Sequence, residues 1–140
     1  MGMIIDTSVF IAWERAGTPI DFSPWRDEGE TFISTITVSE LLVGVHRATP
    51  ESRRIKRSRF TEMVIELMTS LDVTVEVARV HAALSATLTT TGRLIGLHDS
   101  WIAATALQRD LAVLTANVSE FSRVPMLRVI PLSRPSSGVV

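Results

Sequence analysis

The feature that most constrains this chain is an alternation of two hydrophobic periods. Short apolar runs that read as buried strands are separated by longer stretches whose apolar residues recur at helical spacing. The strand candidates are Met3-Ile4-Ile5, Thr31-Phe32-Ile33-Ser34, Leu111-Ala112-Val113-Leu114 and Arg128-Val129-Ile130. Val9, Phe10, Trp13 and Ala16 mark a first helix, started at Asp6 or Thr7 and closed by Gly17. Val38, Leu41, Leu42 and Val45 mark a second. After the break at Pro50, Phe60, Met63, Val64, Leu67, Met68 and Leu71 form the apolar stripe expected of a third. Val77, Val80, Leu84 and Leu88 describe a fourth, ending in Thr89-Thr90-Thr91-Gly92, and Trp101 to Gln108 a fifth. Residues 18–30, with Pro19, Pro24 and Gly29, read as loop or broken helix, and residues 72–75 as either a strand or a helix entry. Strands alternating with helices imply a parallel sheet, because each parallel pairing needs a crossover long enough to hold a helix. The expected fold class is therefore α/β: a three-layer sandwich with a short central parallel sheet flanked by helices. Its crossovers are expected to be right-handed, with ligands beyond the carboxyl ends of the strands.

At 140 residues the chain has the size of one domain, expected over 3–132, with a Pro/Ser/Gly-rich tail over 133–140 expected to be disordered. Met1-Gly2 reads as an extension ahead of a start at Met3. No cysteine is present, which removes disulfides and thiolate metal sites and suits a reducing compartment. No apolar run approaches the roughly 20 residues of a membrane span, and no export signal opens the chain, so the expected location is the cytoplasm. The net charge of −1 argues weakly against a nucleic-acid partner. With three of the 15 acids gathered in one pocket, however, 12 acids would face 14 basic residues over the remaining surface.

The strand-end rule turns the sequence into a map of a site. Asp6 follows the first strand directly, and Thr115 to Asn117 follow the strand at 111–114. Glu40 and Asp99 lie near helix starts able to face the same edge. Carboxylates gathered there repel one another and raise their pKa values unless a cation sits between them. Hard divalent ions such as Mg²⁺ or Mn²⁺ match an all-oxygen site, and phosphodiester hydrolysis uses them without a protein nucleophile. Each residue also has an alternative reading: Asp6 and Asp99 as helix caps, Glu40 as a solvated helix residue, Asn117 as a turn. From the residues alone the two readings stand about even.

Four blocks carry a resemblance. Ile4-Ile5-Asp6-Thr7-Ser8 resembles the opening of PIN domains, where a strand delivers the first metal-binding aspartate and a following Ser or Thr supports it. Ser39-Glu40-Leu41-Leu42-Val43-Gly44 resembles the second motif, with its glutamate. His98-Asp99-Ser100-Trp101-Ile102-Ala103-Ala104-Thr105-Ala106 is similar to the third, an aspartate heading a small-residue helix. Leu114-Thr115-Ala116-Asn117-Val118-Ser119-Glu120-Phe121 is similar to the fourth, including its Thr and closing Phe. The blocks stand in family order, and the resemblance, closest to the VapC branch of PIN toxins, covers nearly all of 3–132. It implies a bacterial cytoplasmic endoribonuclease dependent on Mg²⁺ or Mn²⁺, held by Asp6, Glu40 and Asp99 and supported by Ser8, Thr115, Asn117 and Glu120. It further implies a homodimer, inhibition by a VapB-type antitoxin, and structured RNA such as tRNA or rRNA as substrate. Many members carry aspartate where this chain has Asn117, which puts a second metal in doubt and leaves Glu120 as a source of the missing charge.

Other residues divide between functional and packing roles. Arg53, Arg54, Lys56, Arg57 and Arg59 form a basic stretch that could track an RNA backbone or simply face solvent. His98 beside Asp99 suggests a general base, but a structural role is expected. His46 and His81 read as structural or exposed, and Trp13, Trp25 and Trp101 as packing residues able in principle to stack on bases. Phosphoryl transfer through Asp6 is a rival enzyme class. It is disfavoured because the single lysine, Lys56, lies far along the chain in the basic helix. A weakened PIN module that only binds RNA or a partner is the remaining alternative.

Overall fold

The structure, a computed structural model, describes residues 1–132, so the tail expected over 133–140 lies outside the described residues. The elements run β1 (Gly2–Ile5), α1 (Thr7–Ala16), a 3-10 helix (Ser23–Glu28), β2 (Glu30–Ser34), α2 (Thr35–Arg47), α3 (Glu51–Leu67), β3 (Thr69–Leu71), α4 (Val75–Thr91), α5 (Leu97–Arg109), β4 (Ala112–Thr115), α6 (Val118–Phe121) and β5 (Val129–Pro131). The five strands are all parallel, in the order β3-β2-β1-β4-β5. This is the expected α/β architecture. No helix among the described residues is long and apolar enough to cross a membrane.

Successive residues of the central strands are buried against opposite faces, which is why there are three layers. Met3, Ile5, Ala112 and Leu114 join one core with Val9 and Phe10 of α1, Leu41 of α2 and Val64 of α3. Ile4 and Val113 face the opposite side, against Leu84 and Leu88 of α4, Ile102, Ala103 and Ala106 of α5, and Phe121. Strands buried on both faces need no polar alternation, so β1 and β4 read as continuous apolar runs. The small buried residues Ala103, Ala104 and Ala106 let α5 lie close to the sheet.

Several local expectations are corrected. β1 begins at Gly2, not Met3, and Gly2 is buried in register with Glu30. A Cβ there would come within 2.9 Å of the Glu30 carbonyl oxygen, so the position is closely packed. The stripe expected on α3 breaks down: Met63 and Leu67 are 46% and 60% exposed, and the buried residues of α3 are Thr61 and Val64. Met68 leaves the helix with extended backbone, and Leu71 belongs to β3, an edge strand whose Thr69 and Ser70 are exposed. Residues 72–75 are not a strand but the entry to α4, where the Thr74 hydroxyl accepts the Val77 N–H as an N-cap.

Candidate active site

The register of β1 against β4 pairs Ile5 with Leu114, so Asp6 and Thr115 emerge side by side at the carboxyl edge of the sheet. Asp6 has the extended backbone of an N-cap residue (φ −70°, ψ 149°), but its side chain caps nothing. Its Oδ2 instead accepts the Ser8 hydroxyl at 2.6 Å and the Thr115 hydroxyl at 2.9 Å. Those hydroxyl oxygens in turn accept backbone N–H groups: Ala116 to Ser8 at 3.0 Å and Asn117 to Thr115 at 2.8 Å. With amides holding the oxygens, the hydroxyl protons are aimed at the carboxylate. The capping alternative for Asp6 is thereby replaced.

Glu40 is not a solvated helix residue. Its Oε1 accepts the Thr7 hydroxyl at 2.8 Å, and its Oε2 lies 3.3 Å from Nδ1 of His98. Thr7, read from sequence only as a cap, also stands 3.0 Å from Thr37 Oγ1. The adjacency of Thr7 to Asp6 was the available signal, but its partner 33 residues away could not be read from spacing. The cap position of α5 is Gly96, so Asp99 sits in the first helical turn and is not the N-cap.

Asn117 and Glu120 act together. Asn117 Nδ2 donates to Glu120 Oε2 at 2.6 Å, and the Gly96 N–H donates to Glu120 Oε1 at 2.5 Å. Gly96 was not singled out in the sequence. A Cβ built there would stand 3.3 Å from Glu120 Oε1, so a residue with no side chain eases the close approach of the Glu120 carboxyl to the backbone.

The electrostatics show how closely the acids are grouped. Burial pushes the Asp99 carboxyl up to about 7, helped by the charges of Asp6 and Glu120, a hydrogen bond to Glu120 and the charge of Glu40. Burial also raises Asp6, against the lowering effect of the Ser8 and Thr115 hydroxyls, and Glu40 raises it further. Glu120 is lowered, first by the Gly96 N–H and then by the Asn117 amide. Charge converges here more than ligand geometry does: among the described residues, no three His, Asp or Glu side chains stand close enough to enclose an ion. The donor set nonetheless suits a hard divalent cation, being made of oxygens, one of whose carboxyls is raised by burial and then by the charges of its neighbours.

The remaining expectations sort clearly. His81 Nε2 lies 2.9 Å from Ser100 Oγ, and its ring stacks on Trp101 at 3.6 Å and 4°. His46 is exposed. Trp13 packs edge-on against Phe10 and Phe22 and lies 6.5 Å from Trp25, so these indoles serve the core. Two residues of the basic stretch make ion pairs. Arg57 pairs with Glu14 at 2.9 Å and lines a groove with Glu40, whereas Arg54 pairs with Glu51 at 3.6 Å on the surface. Arg53, Lys56 and Arg59 are exposed.

A family model described as the PIN domain matches residues 3–127. Ribonuclease VapC1 of Rickettsia felis is 40% identical over 133 residues, covering 95% of this chain and 98% of that protein. VapBC-5 from Mycobacterium tuberculosis, a member of the VapBC family of toxin-antitoxin systems, matches in structure with a TM-score of 0.74 at 30% identity, covering 95% of this chain and 98% of that one. DNA-bound VapBC from Salmonella typhimurium gives a TM-score of 0.82 at 25% identity, covering 94% and 98%. The order of the strands, the carboxylates at their shared edge and these matches lead to one conclusion: the chain belongs to the PIN-domain family, in its VapC branch.

Proposed function

We propose that this protein is the toxin endoribonuclease of a bacterial toxin–antitoxin pair, and that Asp6, Glu40 and Asp99 carry the hydrolysis of RNA phosphodiester bonds. The observation that carries the reading is the edge where β1 and β4 end side by side, with Asp6 held by the Ser8 and Thr115 hydroxyls and Glu40 by the Thr7 hydroxyl. Burial and the nearby charges of Asp6, Glu120 and Glu40 raise the Asp99 carboxyl there. A fold does not ordinarily hold acids in such mutual repulsion without a use for them, and perturbed carboxyls gather at functional sites. Mg²⁺ or Mn²⁺ is the cation this donor set would hold, through Asp6, Asp99 and Glu40. The chemistry a divalent cation supplies at such a site is neutralisation of phosphoryl charge and activation of water.

The residues of the chain do the positioning. Ser8 and Thr115 fix Asp6, Thr7 fixes Glu40, and Gly96 with Asn117 fixes Glu120. Preorganised carboxylates of this kind lose little freedom when substrate arrives, which is where such sites gain rate. Asn117 thus acts through Glu120, which brings to the edge the charge that the amide lacks. That pairing favours an active nuclease over a weakened module retained only for RNA or partner binding. The working unit is 3–132. It acts in the cytoplasm as a homodimer on RNA of the tRNA or rRNA class, silenced by a VapB-type antitoxin whose basic side chain enters the acidic edge.

Incubation of the purified protein with total bacterial RNA, with Mg²⁺ or Mn²⁺ and then with EDTA, tests this directly. Cleavage that depends on the cation and vanishes in Asp99→Asn supports the reading. Cleavage that persists after thorough chelation overturns it.

A further inference from the structure

An acidic edge repels the polyanion it is supposed to cut, so RNA must be held by cations nearby. Of the basic stretch on α3, Arg57 is committed to Glu14 and Arg54 to Glu51. A different basic pair lies beside the carboxylates. The loop leaving α4 and the short helix α6 enclose a concavity of about 570 Å³, lined by Gly92, Arg93, Leu94, Ser119, Ser122 and Arg123.

Its position is set by the same contacts that build the site. Gly92 ends α4 in a left-handed conformation (φ 67°), and Arg93 N–H turns back to the Leu88 carbonyl at 2.9 Å. The loop is then strapped to α6 twice: Arg123 Nη1 donates to the Leu94 carbonyl at 2.8 Å, and Gly96 N–H donates to Glu120. Glu120 follows the lining residue Ser119 on α6, and the Arg123 charge is felt by the Glu120 carboxylate. Among the described residues neither Arg93 nor Arg123 has a carboxylate within ion-pairing distance. Both side chains are exposed, next to two exposed serine hydroxyls.

We infer that this concavity is a backbone subsite for single-stranded RNA, with Arg93 and Arg123 binding a phosphate that flanks the one cut at the Asp6, Glu40 and Asp99 edge. Guanidinium groups match the geometry of phosphate oxygens, and serine hydroxyls are common partners of phosphate and sugar oxygens. The contact is to the backbone, so it adds affinity and register without reading a base. It rests on the proposed nuclease reading for the location of the cut phosphate, but the binding itself is separable from it.

The test is direct binding of a fluorescent single-stranded RNA of about ten nucleotides in EDTA, where no cleavage intervenes. One phosphate contact on a single strand contributes a salt slope of about 0.7, which corresponds to about fivefold in affinity at 0.1 M salt and almost nothing near 1 M. Arg93→Ala should therefore weaken binding about fivefold at 0.1 M salt and lower the salt slope by about 0.7. Arg93→Ala/Arg123→Ala should lose more, and in Mn²⁺ the Arg93→Ala protein should show a raised KM with kcat retained. Arg109→Ala, at the opposite end of α5, is the control for general field effects. Arg93 makes no described side-chain contact, so its replacement tests the proposal even if loss of the Arg123 anchor disturbs the loop. Unchanged affinity and slope in Arg93→Ala, or an equal loss in Arg109→Ala, overturns the subsite. So does loss of antitoxin binding in the double variant with RNA affinity intact, which would make this a protein-docking surface. Cleavage by Asp99→Asn would refute the catalytic reading while leaving the binding result standing.

Discussion

Asp6 and Thr115 stand 109 residues apart in the chain, yet the threonine hydroxyl donates to Asp6 Oδ2 at 2.9 Å. The bond exists because β1 and β4 are neighbours in the sheet with Ile5 opposite Leu114, so the next residue on each strand leaves the edge at the same height. Thr115 is fully buried and also accepts the Asn117 N–H, which couples the first and last motifs through one oxygen.

Thr115→Val tests that coupling with little change of shape. It removes a donor to a buried carboxylate and an acceptor for a backbone N–H, and leaving such groups unsatisfied costs about 1–3 kcal/mol. The Asp6 pKa should rise further, because the hydroxyl now lowers it. Urea denaturation should show the destabilisation, and the cleavage rate should fall by at least about tenfold, the scale seen when the groups that orient ligands are lost. Wild-type stability and rate in this variant would mean that Thr115 only fills space.

The amide substitutions Asp6→Asn, Glu40→Gln and Asp99→Asn should each abolish cleavage and the growth arrest it causes. Because the three act as a unit, combining two should cost little more than one. Asp99→Asn carries a further expectation. Removing a carboxyl crowded by Asp6, Glu120 and Glu40 relieves repulsion, so the metal-free variant should melt above the wild type. Thermal melts in EDTA check this, and a lower midpoint would show that Asp99 holds the fold together instead of straining it.

The pH dependence follows from the same carboxyl. Its folded pKa of about 7 lies above the ordinary aspartate value of 3.8, so between these values the folded state holds a proton that the unfolded chain releases. Stability of the metal-free protein from this group is therefore largest below about pH 4 and declines as pH rises to about 7. Asp6, also raised, acts in the same direction, whereas the lowered Glu120 acts oppositely only below its ordinary value of 4.5. Melting midpoints in EDTA across this window should fall with pH, and the fall should flatten in Asp99→Asn or with saturating Mn²⁺. A slope untouched by both changes would assign the pH effect to other groups.

The 2.6 Å bond from Asn117 to Glu120 specifies what replacing Asn117 should do. Asn117→Ala leaves Glu120 held by Gly96 N–H alone, raises its pKa and should lower activity moderately. Asn117→Asp sets a second carboxylate against Glu120, which destabilises the metal-free protein and strengthens cation binding. Calorimetric titration with Mn²⁺ should rank affinity as aspartate above wild type above alanine. Equal affinities in all three would reduce Asn117 to a turn residue.

How much was legible in the sequence depended on the range of the physics involved. The apolar runs at 3–5 and 111–114 announced themselves because strands buried on both faces need no polar alternation. β3 stayed hidden because an edge strand over Thr69, Ser70 and Leu71 buries a single side chain. The stripe on α3 misled because helical spacing reports a face, not whether anything covers it, and Met63 and Leu67 remain exposed. The strand-end rule placed Asp6 and Thr115 at one edge, and the motifs added Glu40 and Asp99. What the sequence determined by itself was therefore the layer architecture, since it follows from local periodicity, whereas the acids were expected from strand ends together with the family motifs. Only the tertiary structure decided their distant partners: Thr7 on Glu40 and Gly96 on Glu120. Those contacts depend on strand order and register, which bring distant residues within about 3 Å, and hydrogen bonds at that range leave no periodic trace in a chain.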